Sequence, residues 1–205
     1  MRRPEFIARQ AGNPSGFIGR LIAAVMERET ARVNERAVSL LRLRPQDRVI
    51  DVGTGHGRTL GLLAAVADQG LVVGVDHSAV MCARARHNNR GLVDKGRVKV
   101  EQASSDRLPY EAATFDAAIS VHTLYFWDPA GPHLSEVARV LRPGGRFVMA
   151  FRPIGHPQVD AFPASVYRFR SVQEVEGLLR TAGFRPTGND RDERDIVLAT
   201  AERGS

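Results

Sequence analysis

VIDVGTGHGRT, residues 49–59, is a short apolar run that breaks into spaced glycines at Gly53, Gly55 and Gly57. RVIDVG (48–53) reads as a buried strand. Residues 57–68 carry Leu60, Leu63, Ala64 and Ala67 at helical spacing. A strand, a glycine turn and a helix in succession bring backbone N–H groups and a helix N-terminus to one point, where an acceptor or anion can bind. The spacing is G-x-G-x-G, preceded by Asp51. Arg58 stands where the dinucleotide fingerprint G-x-G-x-x-G requires its third glycine, which argues against an NAD-dependent oxidoreductase.

Outward from this loop the alternation continues. LVVGVD (71–76) is a second buried strand, ending in Asp76, 25 residues after Asp51. A carboxylate there can accept both hydrogen bonds of a ribose diol, so the ligand is expected to contain a nucleoside. Residues 78–89 form a helix capped by Ser78. RVKVEQ (97–102), FDAAISVH (115–122) and RFVMAF (146–151) are further strands, with a helix over 132–141 stopped at Arg142-Pro143-Gly144-Gly145. Ser171 and Glu174 open a helix reaching Ala182. Phe184–Gly188 and Ile196–Thr200 are expected to close the sheet as an antiparallel pair. Such alternation predicts an α/β fold: a Rossmann-like, doubly wound, mostly parallel seven-stranded sheet with helices on both faces and an antiparallel C-terminal strand. Residues 1–44 read as an N-terminal helical segment with apolar positions at Ile18, Leu21, Ile22, Val25, Val33, Val38 and Leu41; residues 45–205 read as the ligand-binding core.

The bulk composition is that of an ordinary globular chain: 205 residues, 43% hydrophobic and 25% charged. One cysteine, Cys82, excludes an intrachain disulfide framework. With no signal-peptide pattern and no apolar run long enough for a bilayer, a cytoplasmic protein is expected. The net charge is +6, but it is mostly arginine scattered along the chain, with no block of like charges. That distribution argues against a nucleic-acid partner. No Cys/His/carboxylate cluster has zinc-like spacing, so no metal is expected.

Together with VIDVGTGHGRT, three further stretches, VVGVDHSAVMCARAR, SSDRLPYEAATFDAAIS and LSEVARVLRPGGRFVMA, occur in the order found in class I S-adenosylmethionine (SAM)-dependent methyltransferases. Over about residues 45 to 200 the chain resembles the branch of that family that includes the ubiquinone and menaquinone C-methyltransferases and many small-molecule methyltransferases. The resemblance implies SAM as cofactor, S-adenosylhomocysteine as product and a small-molecule acceptor. It places Gly53 and Gly55 beside the methionine and ribose of SAM, with Asp51 and Gly57 supporting the loop and Thr54 contributing backbone. It places Asp76 on the ribose hydroxyls, His77 and Met81 at the border of the adenine, and Ser120 near the methionyl end. The segment before the core often lids the acceptor site in such enzymes.

This chain departs from the family at one contact. Members usually have D-A-x-x-L-P before the fourth strand, with the aspartate on the adenine amino group. Aligned on Leu108-Pro109, Ser104 and Ser105 stand there. Either Ser104 supplies a neutral hydrogen bond, or Asp106 substitutes with a charge-assisted one, roughly twice as strong. Thr54-Gly55-His56 departs too, and His56 is expected to be a solvated loop residue.

Acceptor chemistry is expected in SVHTLYFWDP (120–129). His122 is a candidate base because its ordinary pKa is near neutral. Tyr125 is a candidate hydrogen-bond partner of the acceptor. Phe126 can shape an apolar wall, whereas Trp127 is expected to pack inside. A nucleic-acid methyltransferase and a SAM-binding protein without turnover are the competing readings. The sequence leaves the oligomeric state open.

Overall fold

The computed structural model describes residues 31–204. In chain order the elements are α1 (Ala31–Leu40), β1 (Val49–Val52), α2 (Arg58–Val66), β2 (Val72–Asp76), α3 (Ala79–Asn88), α4 (Arg90–Asp94) and β3 (Val98–Gln102). Then come β4 (Phe115–Val121), α5 (Ala130–Val140), β5 (Leu141–Phe151), α6 (Val172–Thr181), β6 (Phe184–Arg191) and β7 (Val197–Arg203). Short 3₁₀ turns lie at Leu124–Phe126 and Val159–Ala161.

The seven strands form one sheet in the order β3-β2-β1-β4-β5-β7-β6. β7 alone runs against its neighbours, pairing antiparallel with both β5 and β6. The expected α/β sheet, its parallel core and its reversed C-terminal strand are all present. Every residue of β1 and β2 is buried, as continuous apolar strands covered on both faces must be. Alternation splits them between two layers. Ile50, Val52, Val73 and Val75 face Leu134, Val137 and Leu179 on the α5–α6 side. Val49 and Val72 face Leu60, Leu63, Cys82 and Ala85 on the other. The edge strand β6 is largely exposed and its pairing is interrupted between Pro186 and Gly188. Proline and an irregular register both discourage further strand addition.

Sequence and structure differ mainly at element ends. β5 begins at Leu141, because Leu141 pairs with Phe115 before the chain bulges through Arg142–Gly145 and resumes pairing at Arg146–Ala117. The Pro-Gly-Gly turn is thus a bulge within a strand, not a clean break. Of the N-terminal segment, α1 is built into the core, with Val33, Ala37, Val38 and Leu41 buried against α2 and the sheet. Exposed ion pairs Arg36–Asp190 and Arg32–Glu193 run from it to β6 and the turn after it. The lid expectation, where it falls on residues 1–30, lies outside the described residues.

Strand order reverses between β1 and β4: the chain winds outward through β2 and β3 on one side, and through β5 on the other. The crevice at their carboxyl ends is where open α/β sheets bind ligands.

Candidate functional site

Three loops meet at that crevice, leaving β1, β2 and β4. After β1 the chain turns at once. Gly53 has φ 79°, and both its N–H and that of Thr54 donate to the Val75 carbonyl, at 2.8 and 3.0 Å. This hooks the glycine loop over the end of β2. A Cβ on Gly53 would meet the Thr123 side chain at 2.3 Å, so glycine is required by close approach as well as by φ. At Gly55, φ 54°, a Cβ would have nothing within 4 Å. The backbone there borders open space, as a cradle for a ligand must. A Cβ on Gly57 would lie 2.7 Å from that of Ala85, which lets α2 pack closely on α3.

Asp76 ties the first two loops together. Its Oδ2 accepts from Gly55 N at 2.9 Å and its Oδ1 from Ser78 N at 2.9 Å. The carboxylate is buried to 9% exposure, yet each oxygen keeps a further lone pair for a diol. Asp51 is deeper, at 2% exposure. Burial raises its pKa to about 7 against a Thr54 hydrogen bond that opposes the rise, and the nearby Asp76 carboxylate adds to it. Thr54 Oγ1 donates to Asp51 Oδ2 at 2.8 Å, so Thr54 contributes a side chain as well as backbone.

The remaining expected contacts are distributed as follows. His77 is exposed, its Nδ1 3.7 Å from Asp76 Oδ1. Met81 is buried, and its N–H is capped by Ser78 Oγ. Ser105 turns inward, with its hydroxyl 2.8 Å from His133 Nδ1, while the His133 ring lies flat against Trp127 at 5.1 Å. Trp127 is 2% exposed. Ser104 and Asp106 stay at the exposed rim. The Ser104 hydroxyl, then His133, hold the Asp106 carboxyl below its ordinary range. Ser120 is fully buried and donates to the Val52 carbonyl at 2.9 Å, locking the ends of β1 and β4 together. His56, expected in solvent, is 9% exposed; the loop folds down so that its carbonyl accepts from Asn88 Nδ2.

At the exit of β4 the polar groups bond to one another. His122 takes φ 57°, a left-handed conformation unusual for a side-chain-bearing residue, pinned by its N–H to the Ala150 carbonyl at 2.8 Å. Its Nδ1 lies 2.9 Å from Tyr125 OH. The Arg152 N–H donates to that same phenol oxygen at 2.5 Å. Burial, and then the positive charge of Arg152, push the His122 pKa down to about 3. The low pKa favours a neutral imidazole, with Nδ1 already engaged by Tyr125. Burial likewise pushes the Tyr125 phenol well above its ordinary value. Beside this pair, Tyr125, Phe126, Phe162, Tyr167 and Phe169 form one contiguous aromatic cluster, with ring centroids 4.9–6.3 Å apart.

Three residues at this site were not singled out from the sequence. Thr123 packs on Gly53. Arg152 follows the last residue of β5 on the same carboxyl edge. Arg170, 7% exposed, donates to the carbonyls of Leu124 and Trp127 and so holds the β4 exit in shape. The rule that ligands lie beyond strand ends was a usable signal for Arg152; nothing local marks Arg170.

The arginine excess also has a structural account. Arg97 caps the carbonyls of Ala67, Asp68 and Gly70; Arg146 bonds the carbonyls of Leu41 and Arg42 and the Asp47 carboxylate. Arg139 bonds the carbonyls of Leu108 and Tyr110 and also Glu136, and Arg203 bonds the Leu141 carbonyl. Part of the positive charge thus closes loops and strand ends.

Comparison with known proteins agrees with this geometry. A family model described as a methyltransferase domain matches residues 50–149. The chain is 31% identical over 173 residues to 27-O-demethylrifamycin SV methyltransferase of Amycolatopsis mediterranei (strain S699), covering 80% of this chain and 63% of that protein. It is 29% identical over 216 residues to the ubiquinone/menaquinone biosynthesis C-methyltransferase UbiE of Geobacter sulfurreducens, covering 92% and 83%. In fold it matches a chain of the complex between the Haloferax volcanii Trm112 methyltransferase activator and a putative methyltransferase, with TM-score 0.79, 21% identity and full coverage of both. Residues 50–149 of this chain are thus a methyltransferase domain, and both curated relatives are methyltransferases. It spans under two thirds of the length of several curated relatives it matches, 62% and 63% in two of them.

SAM fits the residues present: an unobstructed backbone at Gly55, a buried carboxylate with lone pairs to spare at Asp76, and an exposed polar rim at His77, Ser104 and Asp106. Among the described residues, no group of three His, Cys, Asp or Glu could hold a metal ion, and no helix is long and apolar enough to cross a membrane.

Proposed function

We propose that this protein transfers the methyl group of SAM to a small-molecule acceptor, and that the acceptor lies against His122, Tyr125 and the aromatic cluster beyond β4. The observation carrying this reading is the Gly55–Asp76 pairing, which presents an open backbone and a nucleoside-binding carboxylate at the strand-order reversal. Bound SAM supplies a methyl group on a sulfonium, an already activated leaving group. The protein's part is orientation and exclusion of water. Gly53, Gly55, Asp76, His77 and Met81 bind the cofactor, with adenine held at Ser104 or Asp106; Thr123 and Ser120 fix the loop against β4. A role in the cytoplasm accords with the single buried cysteine Cys82.

The test is calorimetric titration with S-adenosylhomocysteine, with NAD as comparison and Asp76→Ala as the loss-of-binding control. Micromolar binding of the first ligand alone, lost in Asp76→Ala, is expected. Binding of NAD and not S-adenosylhomocysteine overturns the reading. Release of S-adenosylhomocysteine from SAM in the presence of candidate acceptors then separates an enzyme from a SAM-binding protein without turnover.

A further inference from the structure

Resting on that methyl-transfer reading, we propose that the acceptor binds as an oxyanion, the phenolate or enolate of a flat conjugated compound, held by the Arg152 guanidinium and the Nε2–H of His122.

The tautomer of His122 follows from its neighbours. The Arg152 N–H can only donate, so the Tyr125 oxygen accepts from it. Among the described residues, the only other polar partner of that buried phenol, 4% exposed, is His122 Nδ1. The phenol hydrogen must therefore go to Nδ1, since otherwise it is buried unpaired. Nδ1 is then an acceptor and the ring proton sits on Nε2. His122 meets the acceptor as a neutral donor and has no lone pair at Nε2 with which to take a proton.

Arg152 supplies the charge. It is half-buried and, among the described residues, pairs with no carboxylate. Its Nε is buried without a hydrogen-bond partner, and its guanidinium lies over the Phe162 ring at 5.4 Å. An uncompensated cation at a partly desolvated site favours an anion. Among the described residues, the charged or polar groups acting on the His122–Tyr125 pair are Arg152, His156 and Tyr167, and none of them is a carboxylate. Phe126, Phe162 and Phe169 add flat apolar surface of ring size, which selects a conjugated acceptor. His122 and Arg152 also share an edge, because β4 and β5 pair in register as far as Val121–Ala150.

The reaction then needs no base on the protein. The acceptor's proton passes to water on binding. The oxygen lone pair forms the new O–C bond, and the methyl–sulfur bond breaks with its electron pair returning to sulfur. An anion and a sulfonium become two neutral products, a change favoured where water is excluded.

The test reads the acceptor's ionisation directly. Protein saturated with S-adenosylhomocysteine is titrated with a nitrophenol, whose phenolate absorbs visible light, across a range of pH. The bound phenol should titrate about one unit below the free one, a roughly tenfold preference for phenolate. Arg152→Gln should abolish the shift, Arg152→Lys should keep most of it, and His122→Phe should weaken it about threefold. A bound phenol that titrates at or above its free value overturns the proposal. So does a shift that survives Arg152→Gln, or failure of the phenol to bind at any pH. Calorimetry with S-adenosylhomocysteine on the same samples shows whether each variant is folded. Failure of that binding in the unmodified protein would instead overturn the methyl-transfer reading.

Discussion

Gly53 and Thr123 are packed so closely that a Cβ on the glycine would lie 2.3 Å from the threonine hydroxyl oxygen. The exit of β1 and the exit of β4 therefore form one unit, in which the Thr123 side chain leaves room for no more than a hydrogen at Gly53. Gly53→Ala combines this overlap with a left-handed φ. It is expected to cost about 2–4 kcal/mol of stability and to abolish S-adenosylhomocysteine binding. Thermal unfolding and calorimetry measure the two effects. Thr123→Ala on the same background should recover only part of the stability, since the Thr123 Cβ is itself 2.9 Å away.

Gly55→Ala separates binding from folding. The added methyl meets no protein atom within 4 Å, so only the left-handed backbone is penalised, by about 1–2 kcal/mol. The methyl does enter the space assigned to the cofactor. Affinity for S-adenosylhomocysteine should fall by at least about tenfold while the unfolding temperature drops only a few degrees. Equal losses at Gly53 and Gly55 would show that Gly55 does not border the ligand.

Asp51 gives the chain a pH-dependent stability. Its pKa rises from 3.8 to about 7 on folding, so the folded chain holds that proton more tightly than the unfolded one. This contribution is fully present below about pH 3.8 and is lost as pH rises through about 7. Asp51→Asn should flatten that part of the dependence of Tm on pH, with the difference between variant and parent growing towards pH 7.

His122 has the opposite sign. A folded pKa of about 3 means that its neutral form stabilises the fold above about pH 6.5, and that this is lost as pH falls towards 3. With the ring neutral throughout the working range, the rate of methyl transfer should show no limb near pH 6.5 attributable to His122. Comparing the pH–rate profiles of the parent and His122→Gln tests this.

Arg170→Met leaves the Leu124 and Trp127 carbonyls short of a donor beneath the β4 exit. A stability loss of about 2–4 kcal/mol is expected. S-adenosylhomocysteine affinity should change by less than about threefold, because Arg170 contacts neither the glycine loop nor Asp76, whereas kcat should fall as the acceptor loop loosens.

The amino-acid sequence by itself determined the α/β class, the strand-helix alternation, the glycine loop and the Asp51–Asp76 pair, because these rest on local periodicity and on backbone chemistry that glycine and capping residues impose within a few positions. It also marked His122 and Tyr125 as the residues leaving β4. Only the tertiary structure decided what those two are. The His122 proton location depends on Arg152, whose backbone N–H reaches Tyr125 across 27 positions, and the imidazole pKa depends on burial that no spacing encodes. The same holds for His56, drawn inward by Asn88, for Ser105, claimed by His133, and for arginines whose carbonyl partners lie far along the chain. Long-range packing sets desolvation and hydrogen-bond direction, and these two quantities set the His122 pKa and its bond to Tyr125.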